Sequence, residues 1–128
     1  VSFDWKSDHS NTSFANWGLS MEPRDFLKIG YLCLKGGAWD GKQIVPAERL
    51  ADSIVDRAVT AYPDERMALL WWKPSFGGFA AYGWLGQTIY ILPEQDLIIL
   101  FTANLDGESA GYVEHRLMTD FILPAIKE

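Results

Sequence analysis

The spacing of apolar residues changes character midway along the chain. From Pro23, Phe26, Leu27, Gly30, Tyr31 and Leu34 recur at intervals of three and four, the pattern of one helical face. Pro23 suits the first turn of such a helix, where its missing N–H costs nothing, and Glu22 sits at the N-cap, where a carboxylate favours the positive helix end. Gly36 and Gly37 predict the stop. Lys42 to Val45 reads as a short extended piece, and Pro46 opens a second helix with Leu50, Ala51 and Ile54 facing inward.

From Met67 the pattern is that of strands. Met67 to Trp72 is one apolar run, followed by a turn over Pro74 to Gly78 and a short strand over Phe79 to Tyr82. Gln87 to Leu92 predicts another strand, with Ile89 and Ile91 on one side. Pro93 to Asp96 forms a four-residue hairpin turn, and Leu97 to Thr102 returns antiparallel. Gly107 to Gly111 reads as a loop. Tyr112 to Ile126 predicts a closing helix with Val113, Leu117, Phe121 and Ile122 inward, its last turn disfavoured by Pro124. Helices flanking a run of antiparallel strands define an α+β class. Residues 1–17 show no period and read as an irregular segment held by Phe3, Trp5, Phe14 and Trp17.

Composition narrows this picture. A chain of 128 residues is one domain's worth and can bury a core. Six Trp residues argue for a packed core or an aromatic-lined cleft. The formal charge of −6, with scattered basic residues, argues against nucleic-acid binding. Apolar runs such as Leu97 to Phe101 are strand length, so no membrane segment is expected. No secretory leader is visible, and the sequence assigns no compartment. The chain opens on Val1 in mid-texture, which suggests a fragment or a processed product, and residues 1–128 read as a single domain. Cys33 has no partner for a disulfide and, lying in the helical apolar pattern, reads as a small buried hydrophobe.

Candidate chemistry is sparse. His9 and His115 lack further ligands at metal spacing, and no cofactor-binding motif occurs, so neither metal nor cofactor is expected. Asp8, His9 and Ser10 are neighbours in an extended loop and point apart, whereas a triad is assembled in space. His115, between Glu114 and Arg116, reads as a solvated surface residue. Asp25 beside Arg24 and Lys28, Glu48 beside Arg49, and Asp64 and Glu65 beside Arg66 read as solvated ion pairs. Gly77-Gly78 and Gly83 to Gly86 lack the Lys-Ser/Thr of a phosphate loop and mark sheet turns.

Two blocks together resemble a known family. One is GLSMEPRDFLKIGYLCLKGGAWDGKQIVP, Gly18 to Pro46; the other is LLWWKPSFGGFAAYGWLGQTIYILPEQDLIILFTAN, Leu69 to Asn104. In this order they resemble the C-terminal part of the serine β-lactamase and penicillin-binding-protein superfamily, especially class C-like β-lactamases, esterases and D-aminopeptidases. The resemblance implies a partial β-lactamase/transpeptidase-like fold. It also implies a serine hydrolase acting on amide, ester or β-lactam bonds of a small-molecule or peptide substrate. Such enzymes use a Ser-x-x-Lys nucleophile, a Tyr-x-Asn loop and a Lys-Thr-Gly or His-x-Gly strand. No Ser here is followed three residues later by Lys, and no Tyr has Asn two residues on.

The third element falls on Ala81, Tyr82 and Gly83. Gly83 keeps the glycine, Ala81 stands where a cation is expected, and Tyr82 replaces a small hydroxyl residue. The resemblance makes the N–H of Trp84 an oxyanion donor, and its ring either lines the cleft or is a packing aromatic. No catalytic residue is expected in the chain itself. It reads as the scaffold and cleft-strand portion of a hydrolase, inactive alone; the alternative is a stand-alone binding or assembly module. The resemblance further implies that Leu97–Thr102 pairs with an N-terminal strand. Without that strand the 97–102 edge is open, and either self-association or residues 1–17 would cover it.

Overall fold

The computed structural model describes residues 2–60, 65–106 and 111–126. A short strand β1 (Phe3–Trp5) pairs antiparallel with β2 (Leu19–Met21), so the segment expected to be irregular carries a strand and a hairpin-like excursion. Helix α1 (Pro23–Leu34) begins at the expected proline, with the amides of Asp25 and Phe26 bonded to the carbonyl of Glu22. It ends where Gly36, at φ +63°, admits the left-handed turn and the Gly37 amide bonds back to the Leu32 carbonyl. A two-residue pair, β3 (Ala38–Trp39) with β4 (Lys42–Gln43), leads to α2 (Ala47–Ser53) after Pro46.

Six strands then form an all-antiparallel meander. They are β5 (Ala58–Val59), β6 (Glu65–Met67), β7 (Trp72–Pro74), β8 (Phe79–Tyr82), β9 (Thr88–Leu92) and β10 (Leu97–Phe101), adjacent in chain order. The predicted alternation holds on β9. Ile89 and Ile91 join Phe79 on one side, where Phe26, Cys33, Leu34 and Ile54 cover them. Tyr90 and Leu92 join Ala80 and Met118 on the other. The sheet is thus covered on both faces, by α1 and by the C-terminal helix. Gly30 explains how close α1 comes: a Cβ there would lie 2.7 Å from Ile89 Cδ1 and 2.8 Å from Ile98 Cγ2.

Three expectations change. The apolar run Met67 to Trp72 is not one strand. Met67 pairs with Trp72 across a tight turn in which the Ala68 amide bonds to the Trp71 carbonyl and Leu70 takes φ +63°, leaving Leu69 and Leu70 exposed. Secondly, Ala51 is exposed, so α2 and its C-cap face inward through Leu50, Ser53 and Ile54.

The third change is the inner face of the closing segment, which comprises α3 (Tyr112–Leu117), a wide turn over Met118–Ile122 and α4 (Leu123–Ala125). Glu114 and Met118 are buried with Ile122 beneath them, while Val113, Leu117 and Phe121 lie outward. The carboxylate of Glu114 reaches back to the Gly111 amide at 2.9 Å, which fixes the rotation of the first turn. Pro124 cannot donate to the carbonyl four residues back, and the Leu123 amide bonds instead to Met118, five residues away.

β10 is a sheet edge among the described residues, and residues 2–17 do not pair with it; β1 pairs with β2 instead.

Candidate functional site

The residues singled out in the sequence lie together at the end of β8 and the turn that follows. β7 pairs with β8 at Ala80 alone, so beyond that point the strand leaves its neighbour and Tyr82 lies outside the β7 ladder. On the other side the ladder to β9 continues through Ala81 and Tyr82, and the Gly83 amide bonds to the Gln87 carbonyl at 2.6 Å. That bond makes Gly83 and Gln87 a hydrogen-bonded pair. By the alternation of an antiparallel ladder, the backbone groups of Tyr82 point toward the side that β7 has vacated, and Trp84 lies in the turn that follows.

Each side chain here has a distinct environment. Ala81 packs on the α1 side. Tyr82 faces the opposite layer, stacked on Trp72 with ring centroids 5.4 Å apart, and its hydroxyl donates to Glu65 Oε1 at 2.8 Å. Burial is the main reason that the Tyr82 phenol is pushed well above its ordinary range; Tyr90 and Glu65 add to it. Burial likewise pushes Tyr90 up to about 12. Both rings are therefore neutral donors near pH 7, unsuited to serve as bases. Gly83 is exposed, and Trp84 is 80% exposed, so its ring packs little within this chain.

Sequence reasoning missed two features. Glu65 does not pair with Arg66, because neighbours on a strand face opposite sides; it receives the Tyr82 hydroxyl, and Arg66 lies 3.7 Å from Asp56. Glu114, read as a flank of a surface histidine, is 1% exposed. Its Oε1 has no hydrogen-bond partner among the described residues and lies against Gly86, where a Cβ would come within 2.5 Å of it. The readable signal was its place three residues after the glycine that caps the helix. The turn is further held by the Leu105 amide on the Leu85 carbonyl, and by Gln87 Nε2 on the Ala103 carbonyl at 2.6 Å. The Trp84 turn thus rests on the closing helix as well as on the sheet.

The other candidates lie elsewhere. Asp25 pairs with Lys28, whose ammonium holds the Asp25 carboxyl below its ordinary value. Asp64 lies outside the described residues. His9 is exposed, and the His115 ring lies 5.5 Å from that of Phe76. Burial raises the Cys33 thiol, which suits a packing role better than a nucleophilic one. Among the described residues no cluster of His, Cys, Asp and Glu could hold a metal, and no helix is long and apolar enough to cross a membrane.

Several known proteins are similar to the chain. Its α+β fold matches a solved structure from Bacillus anthracis that carries, as a provisional assignment, the name 6-aminohexanoate-dimer hydrolase. The match has a TM-score of 0.73 and 25% identity over 94% of this chain and 32% of that one. Among curated proteins, the 6-aminohexanoate-dimer hydrolase of Paenarthrobacter ureafaciens is 27% identical over 73% of this chain and 26% of its own length. An uncharacterised protein of Alkalihalophilus pseudofirmus is also 27% identical, over 85% of this chain and 37% of its own. No protein-family model matches the chain. The chain therefore spans about a third of the length of these relatives. Their names support kinship with the β-lactamase/penicillin-binding-protein superfamily, at low identity.

Proposed function

We propose that this chain is the C-terminal scaffold and cleft-strand portion of a penicillin-recognising serine hydrolase, and that it is inactive alone. In this reading the β8 end supplies one wall of the cleft. The Trp84 amide donates to the oxyanion that forms when a serine on a separate segment attacks a carbonyl, and the exposed Trp84 ring contacts the substrate beside it. Two relatives are named for hydrolysis of a 6-aminohexanoate dimer, so a linear amide is the substrate class favoured over a β-lactam.

The observation that carries the reading is the overlay of nearly the whole chain on one third of a hydrolase-named structure, together with the lack of any Ser-x-x-Lys in the sequence. The test is a chimaera in which this chain replaces the matching segment of the Paenarthrobacter enzyme. The isolated chain is expected not to turn over 6-aminohexanoate dimer, a nitrophenyl ester or a chromogenic cephalosporin, while the folded chimaera hydrolyses the amide. Turnover by the isolated chain, or a folded chimaera with a reactive serine but no amide hydrolysis, overturns it.

A further inference from the structure

Two unfavourable features converge on the turn after β8. Leu85, which carries a Cβ, takes φ +64°, and Gly86 follows at φ +96°. A non-glycine residue in that region persists only where the surroundings over-determine it. Behind the turn, Glu114 is 1% exposed, and its Oε1 has no hydrogen-bond partner among the described residues. An apolar side chain of the same size would avoid the cost of that orphaned oxygen. Both features fall on the turn that carries Trp84, whose amide has no acceptor among the described residues and whose ring is exposed. Strain of this kind collects where a site needs a fixed geometry. We infer that Glu114 is a positioning residue for the cleft: anchored through one oxygen on the closing helix, it braces Gly86 with the other and so fixes where the Trp84 amide points. The role in catalysis rests on the hydrolase reading; the brace does not.

The brace works because its far end is tied. Glu114 Oε2 accepts from the Gly111 amide at 2.9 Å, which holds the side chain in one orientation and sets Oε1 against Gly86. Gly86 is buried, while Trp84 two residues earlier is exposed, so the turn has an inner side on Glu114 and an outer side on the cleft. A Cβ at Gly86 would meet Glu114 Oε1 at 2.5 Å, Ala103 Cβ at 3.1 Å and Leu105 Cδ1 at 3.2 Å. Two hydrogen bonds hold the flanks: the Leu105 amide on the Leu85 carbonyl at 2.9 Å, and Gln87 Nε2 on the Ala103 carbonyl at 2.6 Å. These bonds set the ends of the turn, and Glu114 sets its depth. A turn free to sink toward the helix would carry the Trp84 N–H away from the oxyanion, and small displacements of such a donor weaken catalysis steeply.

Three variants separate bracing from general support of the core. Glu114→Met fills the same space without the tie to Gly111, and it removes the orphaned oxygen, so it keeps the fold. Glu114→Gln retains an oxygen for the Gly111 amide. Met118→Ala empties a buried position of the same closing segment, packed with Ala80, Tyr90 and Leu92. In NMR spectra of the chain, the Trp84 amide resonance is expected to shift and broaden in Glu114→Met and to return in Glu114→Gln. In the chimaera with the Paenarthrobacter enzyme, Glu114→Met is expected to lower kcat for the dimer about tenfold with KM within about twofold, and Glu114→Gln to restore it. Met118→Ala is expected to lower the denaturant midpoint more than Glu114→Met does, yet to leave kcat and the Trp84 resonance near those of the parent. A Glu114→Met chain with the parental Trp84 resonance overturns the proposal, as does a Met118→Ala chain that moves it equally. So does an active chimaera whose kcat ignores Glu114→Met. An inactive chimaera sinks the hydrolase reading alone, because the Trp84 resonance of the chain itself still decides the brace.

Discussion

Glu114 shows how one residue ties the closing helix to the candidate site. A charged side chain in the first helical turn would ordinarily lie in water, but this one spends one oxygen on the Gly111 amide and lays the other against Gly86. Gly86 must therefore be glycine twice over: its φ is +96°, and any Cβ would collide with the carboxylate. Gly86→Ala is expected to lower stability by about 2 kcal/mol, read from the shift in denaturant midpoint, and to disturb the environment of Trp84, read from its fluorescence. An unchanged midpoint would mean that the turn has room which these distances deny. The residue types at this site were legible in the sequence, since Gly83, Trp84 and Gly86 stand out in any reading. Their support by a helix thirty residues later was not, because it depends on a contact between elements.

At the scale of elements, the closing helix carries two apolar stripes, and sequence periodicity favoured the wrong one. Val113, Leu117 and Phe121 recur at intervals of four, whereas the buried stripe begins with a glutamate and so scores poorly. Met118→Ala, at a fully buried position, is expected to cost roughly 2 to 5 kcal/mol in chemical denaturation, while Phe121→Lys stays within about 0.5 kcal/mol of the parent. The reverse ranking would restore the face that periodicity suggested. Helix α1 and the β9–β10 hairpin, by contrast, followed their sequence signals closely. A proline start, a glycine stop and strict alternation are local devices whose meaning does not depend on distant contacts. The Met67 to Trp72 run failed as a strand because a tight turn of apolar residues has no compositional signature.

For the molecule as a whole, the aromatic layer under the sheet sets the behaviour at high pH. Tyr82 stacks on Trp72 and Tyr90 packs against Phe76 and Phe101 beside the closing helix, and burial raises both phenols. An unfolded tyrosine titrates at about 10. Above that pH the unfolded chain loses protons that the folded chain retains, so folding stability falls as pH rises. Below it both states are protonated, and the contribution is fully present. Denaturation free energy should thus be insensitive to these groups near neutrality and decline from about pH 10 upward. Tyrosinate absorbance should show two rings that ionise at higher pH in the folded chain than in the unfolded one. Tyr82→Phe should make the decline shallower; an equally steep decline in that variant would assign the effect to other groups.

By itself the sequence determined the α+β class, the start and stop of α1, the two sides of β9 and the hairpin into β10, because capping, periodicity and turn chemistry act over a few residues. It also determined that no Ser-x-x-Lys is available, which is a matter of spacing alone. Tertiary structure decided which stripe of the closing helix is buried, that Glu65 receives the Tyr82 hydroxyl, and that β7 leaves β8 after Ala80 so that the Trp84 turn is open. It decided too that β10 lies at the sheet edge among the described residues. These depend on which surfaces meet, and burial and strand order are properties of the assembled sheet that no local pattern encodes.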